Sequence, residues 1–321
     1  MTIPYSLRLV CLCLAAFFLV HAAVAAVVRL VAPAALRIAG RMRPRLAARF
    51  LLALRLAPAA LAAFAVAGLC APSYLWLEPA ATSEEVGLVC LLAALFGAAL
   101  TMESLVRALR AVARSGRYWR ECRRTAVKTR IGRAPVWIVP RSAPFFVLAG
   151  IWRSRLVVSQ AVVDALPEEQ LAAAVRHEQA HRESRDNLKR LLVLLAPGML
   201  PGVRGLSALE RAWARRAEWA ADDRAVAGDS RASLTLAEAL VRVARLGAAP
   251  PLTPLTTSLM ADGHDLAERV ERLLHPAANP GRDLPLPVMG TAAALCGTAL
   301  VALLQPSVLY SVHGLLERLT H

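Results

Sequence analysis

The sequence is poor in lysine, in aromatic residues and in paired cysteines, and each shortage argues against a class of protein. Of its 38 basic residues only two, Lys128 and Lys189, are lysines, and aromatic residues make up 5% of the chain. A nucleic-acid-binding surface is expected to combine clustered lysine and arginine with aromatics or a known reader motif, and neither is present. The six cysteines contain no CxxC pair. We therefore expect no direct nucleic-acid partner and no disulfide framework.

Apolar residues, by contrast, make up 57% of the 321 residues, and the mean hydropathy is +0.48. Both values are high for a soluble globular protein. Four segments approach the ~20 apolar residues that a membrane-spanning helix needs. These segments are residues 9–32, 50–76, 86–102 and 287–304. The sequence therefore predicts a mainly α-helical membrane protein with four transmembrane helices, in contact with the lipid bilayer.

The arginines predict how these helices are oriented. Five arginines lie between the first two segments, whereas residues 71–85 contain three glutamates and no basic residue. Five more arginines follow the third segment, at residues 107–120. By the positive-inside rule the N-terminus lies outside, and the region after the third helix lies in the cytoplasm. A cleaved signal peptide is the alternative for the first segment, but it would leave the first arginine-rich loop on the outer side.

Three polar residues lie within or near these apolar segments: His21, Arg29 and Arg55. Such residues can mark a polar pathway through a membrane. The two arginines are more simply expected to extend, or snorkel, toward the cytoplasmic interface. We assign none of the three a role from the sequence.

The motif HEQAH at residues 177–181 carries the strongest chemical signal. His177 and His181 are four residues apart, so on a helix they share a face and can reach one metal ion. Glu178 points about 100° away, where it can accept a proton from a metal-bound water. Residues 167–190 predict a single helix around the motif, because no proline or glycine follows Pro167 until residue 197.

A catalytic zinc needs a third protein ligand, and the next predicted helix, residues 207–227, offers one. Glu218 and Asp222 lie four residues apart on one face of that helix. Glu218 is the best candidate ligand, and Asp222 is the best acceptor for the far nitrogen of a ligating histidine. The alternative is a solvated acidic face balanced by neighbouring arginines.

With these motifs the chain resembles the BlaR/MecR-type membrane zinc metallopeptidases, the antirepressor family of antibiotic sensing. The resemblance depends on residues 143–158, 177–187 and 218–222, and it covers roughly residues 100–276. It implies an α+β gluzincin-type domain that binds one Zn²⁺ through His177, His181 and Glu218, with Glu178 as catalytic base. It also implies a multi-pass protein of the bacterial cytoplasmic membrane with its active site in the cytoplasm. More distant similarity is to the heat-shock and prenyl-protein-processing membrane metallopeptidases.

This resemblance and the apolar segments together predict three regions. Residues 1–103 form a membrane domain with three transmembrane helices, residues 104–283 form the cytoplasmic zinc metallopeptidase domain, and residues 284–321 contain the fourth helix and a short external tail. Residues 305–321 are too few for the external penicillin-binding sensor domain of the antibiotic sensors. We therefore do not expect the chain to sense a β-lactam directly.

The remaining elements of the cytoplasmic region are short. Strands are predicted at residues 125–131, 135–140 and 155–158, and further helices at 233–246 and 264–275. Residues 191–203 are apolar but broken by prolines and glycines, so they form either a buried core hairpin or a hairpin that dips into the membrane.

A donor to the oxyanion of the tetrahedral intermediate is also expected. No tyrosine lies between Tyr118 and Tyr310, so histidine or arginine is the better candidate. His264 and Arg269 resemble a His…Arg element of related membrane peptidases. Helix capping or a surface role is the alternative for both.

The sequence as a whole predicts an integral-membrane zinc endopeptidase. The substrate would be a protein, either a transcriptional regulator such as a repressor or a membrane-proximal protein. One alternative is a quality-control protease for damaged membrane proteins. Another is a membrane scaffold or transducer that keeps the fold without turnover.

Overall fold

The computed structural model describes residues 5–77, 87–200, 205–247, 257–258 and 263–275. These residues are mainly helical and include a small mixed sheet. The helices are α1 (Tyr5–Gly40), α2 (Pro44–Ala65), α3 (Ala71–Leu77), α4 (Leu88–Thr125), α5 (Gln160–Ala165), α6 (Glu168–Ser184), α7 (Asp186–Leu195), α8 (Ser207–Val226), α9 (Ser230–Arg245) and α10 (Gly263–Leu274). A π-helical turn, Val66–Cys70, joins α2 to α3. The strands are β1 (Val127–Ile131), β2 (Ala134–Val139), β3 (Phe146–Ala149), β4 (Arg155–Ser159) and β5 (Thr257–Ser258).

Among the described residues, three helical segments are long and apolar enough to cross a membrane: Tyr5–Gly40, Pro44–Trp76 and Leu88–Thr125. They contain the first three segments predicted from the sequence. The helix α4 continues well past residue 102, because the arginine- and alanine-rich stretch that follows has high helix propensity. The fourth predicted helix, residues 287–304, lies outside the described residues.

The sheet has the strand order β1-β2-β4-β3-β5, with β2 and β4 parallel and the other pairs antiparallel. One face packs against α6 and α9, where Phe146 and Val158 of the sheet share a core with Ala174 and Leu240. The three predicted strands are present as β1, β2 and β4. The strands β3 and β5 were not predicted.

The single helix predicted for residues 167–190 is wrong, because the chain breaks at Arg185. This residue has the left-handed backbone conformation, with φ of 55°, and it separates α6 from α7. A non-glycine residue in this conformation costs on the order of 1 kcal/mol. The break turns Asp186 back toward α6, where its carboxylate lies 2.7 Å from His181 Nδ1. The sequence offers no proline or glycine here to mark the break.

Arg55 does not snorkel to an interface but is buried between α2, α7 and α8, with 2% of its surface exposed. Its Nε donates to Glu210 Oε1 at 2.7 Å, and its Nη2 donates to the carbonyls of Val193 and Ala196 at 3.3 and 3.1 Å. The arginine therefore attaches a membrane helix to the start of α8 and to the end of α7.

We expect Arg55→Leu to lower the free energy of unfolding by about 2–4 kcal/mol, since it leaves a carboxylate and two carbonyls without their donor. Thermal unfolding in detergent would measure this as a lower Tm. The matched control is Arg215→Leu, which removes an exposed arginine that pairs with Asp265 and Glu268. Because exposed ion pairs contribute at most about 1 kcal/mol, an equal fall in both variants would contradict the assigned role of Arg55.

Candidate metal centre

Two helices bring the three predicted metal ligands together. His177 and His181 lie on the buried face of α6, and Glu218 reaches them from α8. The two histidine Nε2 atoms are 3.1 Å apart. Glu218 Oε2 lies 3.5 Å from His177 Nε2 and 3.4 Å from His181 Nε2. All three side chains are buried.

These three separations fit a single metal ion. Three ligand atoms that occupy corners of a tetrahedron, with bonds of about 2.0–2.1 Å, lie about 3.3 Å from one another. Two imidazoles and one carboxylate form a donor set found in catalytic zinc sites, in which a fourth position is left for water or substrate. The residues present therefore suit a divalent ion such as Zn²⁺.

A carboxylate lies next to the far nitrogen of each histidine. Asp222 Oδ1 is 2.9 Å from His177 Nδ1, and Asp186 Oδ2 is 2.7 Å from His181 Nδ1. Such an acceptor holds the proton on Nδ1 and directs Nε2 toward the ion. Asp222 thus lies where the sequence predicts an acceptor, whereas Asp186 was missed.

Arg269 of α10 compensates the negative charge of the site. It is 1% exposed, and it donates to both oxygens of Asp222, from Nη2 at 2.7 Å and from Nε at 2.9 Å. Its Nη1 lies 3.4 Å from Glu218 Oε2. Its guanidinium is therefore directed at the two carboxylates of α8. A role of Arg269 as oxyanion donor stays a prediction.

The charges of the site oppose the effect of burial on each titrating group. Burial raises the pKa of Asp222, but the charge of Arg269 and the close contact with His177 outweigh it and lower this pKa below its usual value. Burial has the opposite effect on a histidine and lowers the pKa of His181. The neighbouring carboxylates of Glu218 and Asp186 outweigh burial and raise this pKa to about 10. Asp222 therefore stays ionised at neutral pH, whereas His181 must lose a proton before its Nε2 can bind a metal ion.

Glu178 lies in the same helix as the two histidines and is fully buried. It lines a small cavity between α6 and the sheet, together with Pro135, Leu148 and Leu156. Burial raises the pKa of Glu178, although the charges of His181 and His177 oppose this. A raised pKa brings a carboxylate closer to the range in which it can exchange protons at neutral pH.

The site also includes residues to which the sequence assigned no role. Asn187 Nδ2 donates to the carbonyls of Leu148 and Gly150, at 2.8 and 2.7 Å, and so attaches the start of α7 to the end of β3. Arg190 Nη2 lies 3.7 Å from Glu218 Oε1. The one available signal was the Asp-Asn pair just after the motif, since both residue types favour turns and breaks. His264 lies within α10, but its side chain is outside the described part of the chain.

The chain matches no protein-family model, and no curated protein matches it significantly. Its function is therefore inferred from the residues of the site and their geometry.

We expect Asp222→Asn to weaken zinc binding about 10–100-fold, because it removes the charged acceptor behind His177. The neighbouring Asp223→Asn is the matched control, since Asp223 is more exposed and pairs with Arg272 instead of a ligand. Zinc affinity can be measured by competition with a chromophoric chelator, alongside the Tm of each variant. If both variants bound zinc as tightly as the unaltered protein, Asp222 would have no part in the metal site.

Proposed function

We propose that this chain is an integral-membrane zinc-dependent endopeptidase that hydrolyses peptide bonds of a protein substrate on the cytoplasmic side. One observation carries the proposal: His177, His181 and Glu218 converge with metal-ligand spacing, and Glu178 lies in the same buried helix. The sheet packed on α6 supports a gluzincin-type domain inserted after the third membrane helix. A fourth transmembrane helix at residues 287–304 belongs to the same proposal.

The ligands, Glu178 and the charged residues that contact the ligands each have a role in this reaction. Zn²⁺ held by the three ligands would supply a polarised water and a positive charge for the developing oxyanion. Glu178 would accept a proton from that water on its carboxylate and would deliver it to the leaving amine. Asp222 and Asp186 fix the two imidazoles in the required tautomer. Arg269 holds Asp222 and Glu218 in place and compensates their charge.

The arginine distribution supports a cytoplasmic site. The turn between α1 and α2 contains Arg41 and Arg43, and arginines also occupy the last part of α4, directly before the sheet. By the positive-inside rule this end of the helices faces the cytoplasm. We infer that the protein is a multi-pass protein of the bacterial cytoplasmic membrane and that it cleaves a regulatory protein, such as a repressor.

We expect Glu178→Gln to retain one zinc per chain but to lose cleavage by a factor of about 10²–10⁴ or more, since the general base is removed. Glu183→Gln is the matched control, because Glu183 lies on the same helix but is exposed and pairs with Arg224. The proteomes of cells that carry either variant or the unaltered protein can be compared by mass spectrometry. One or a few stabilised regulators would identify a signalling protease, whereas many stabilised membrane proteins would identify quality control.

Two outcomes would contradict the proposal. Full biological output from protein that contains no zinc would exclude the metallopeptidase function. Equal proteomes for Glu178→Gln and the unaltered protein, with zinc bound in both, would favour a scaffold without turnover.

A further inference from the structure

The segment between α7 and α8 contacts the membrane helix α1 at successive heights. The carbonyl of Gly198 lies 2.7 Å from His21 Nε2, and the carbonyl of Gly205 accepts from Arg29 Nη1 at 2.9 Å. Further along α8, the Arg216 guanidinium lies beside Gly40, the last residue of α1. Gly198, Gly205 and Arg216 therefore lie in this order along α1, from the middle of that helix to its arginine-rich end.

The position of His21 gives the depth of Gly198. His21 is at the centre of the apolar segment 9–32, about 16 Å of helix from residue 32. The hydrocarbon core of a bilayer is about 30 Å thick. Gly198 is therefore level with the middle of the membrane if α1 spans it.

The composition of α7 changes along its length. Its first half contains Asp186, Asn187, Lys189 and Arg190, whereas residues 191–195 are all leucine or valine. The polar half is at the metal site, and the apolar half leads toward Gly198. The apolar half has no polar side chain, as entry into hydrocarbon requires.

The segment directs backbone carbonyls toward donors of α1 and α2 and directs leucine side chains outward. Donors from α1 and α2 satisfy the carbonyls of Val193, Ala196, Gly198 and Gly205. In hydrocarbon such carbonyls must be paired within the protein, because no water is available. Leu192, Leu195 and Leu200 instead point outward, each about 40% exposed (41%, 40% and 39%).

We propose that the end of α7, the described residues that follow it and the start of α8 dip into the bilayer from the arginine-rich side, with lipid acyl chains covering Leu192, Leu195 and Leu200. For residues 191–203 the sequence allows either a buried core hairpin or a hairpin that dips into the membrane, and we propose the second. His21, Arg29 and Arg55 then serve as its polar anchors.

The same heights locate the metal site relative to the membrane. Because α1 and α2 are antiparallel and α8 runs parallel to α1, α8 is antiparallel to α2. Glu210 is level with Arg55, and Glu218 lies about 12 Å further along α8. This places Glu218 level with residue 47 of α2, which lies three residues outside the apolar segment 50–76. The metal site is thus at the membrane surface.

A substrate class follows, and this step rests on the proposed peptidase function. A site at the membrane surface is reached most readily by a polypeptide that is itself anchored in the bilayer. The bond cleaved is then expected within about 30 Å of the anchor, which is about ten residues of extended chain.

The first experiment measures depth and does not depend on catalysis. Nitroxide labels are placed at residue 195 or 200 of a cysteine-free Glu178→Gln protein in phospholipid vesicles. Residue 234, also an exposed leucine but on α9, is the control. We expect the ratio of oxygen to nickel-chelate accessibility to be several-fold higher at 195 and 200 than at 234, since a charged chelate is excluded from hydrocarbon. Equal ratios at the three positions would overturn the proposal.

A second measurement uses the unaltered chain, in case the cysteine-free protein does not fold. Vesicles that contain a lipid with a photoreactive diazirine on its acyl chain are irradiated, and adducts are located by mass spectrometry. Adducts are expected in residues 191–200 and in the membrane helices but not in α9. Adducts in the membrane helices that leave residues 191–200 unlabelled would refute the dipping hairpin.

The substrate class is tested with zinc-loaded protein in vesicles and a fluorescein-labelled, unstructured casein fragment. The fragment is offered free, or joined to a diacyl lipid through a short or a long flexible spacer. Because tethering alone raises the effective concentration, the decisive measurement is the position of the cut. Cuts within about ten residues of the anchor, and faster cleavage with the short spacer, are expected.

Each failure has its own meaning. Cuts that occur only far from the anchor, or equal cleavage of the free fragment, would overturn the substrate class while the hairpin depth stands. No cleavage of any probe by zinc-loaded protein would count against the peptidase function and, with it, the substrate class. Cleavage by Glu178→Gln at the rate of the unaltered protein would count against Glu178 as the general base and against the peptidase function.

Discussion

The candidate metal site depends on a single buried carboxylate, Asp222. It contacts His177 on α6 and Arg269 on α10 while it belongs to α8, so it connects three helices. Burial of one charge without a partner costs several kcal/mol, and removal of one partner leaves the other uncompensated. Arg269 is thus as necessary to the site as the ligands, because without it Asp222 and Glu218 would face each other as two buried anions. The ligand geometry and the packing of the three helices are consequences of the same interaction.

The break between α6 and α7 serves the site at some cost to the backbone. A continuous helix would carry Asp186 and Asn187 away from the ligands, whereas the left-handed Arg185 turns them back. Asp186 then pairs with His181, and Asn187 fastens α7 to β3. Two buried interactions offset the local strain, which is the usual relation between an unfavourable conformation and a functional site.

The sequence predicts the parts of this structure that depend on local patterns. Long apolar runs predict the candidate membrane helices. The four-residue spacing of His177 and His181 predicts that both side chains lie on one helix face and can reach one metal ion. The sequence does not predict β3, because a run of four apolar residues is too short to distinguish a strand from other buried structure. It does not predict the break at Arg185, which depends on contacts made by Asp186 and Asn187. Nor does it predict the pair of Arg55 with Glu210, which joins residues far apart in the chain.

Ionisable residues in membrane helices usually indicate a pathway for ions or protons. In this protein His21, Arg29 and Arg55 all contact one segment, and their partners are backbone carbonyls and Glu210. A pathway would need a continuous row of polar groups across the membrane. These three side chains instead form hydrogen bonds with neighbouring parts of the α7–α8 connection. Their cost in an apolar environment is offset because they satisfy carbonyls that would otherwise lack donors. The candidate membrane helices therefore hold the start of α8. The same helix carries Glu218 and Asp222 further along, so the arrangement of α1 and α2 fixes the position of these two residues of the candidate metal site.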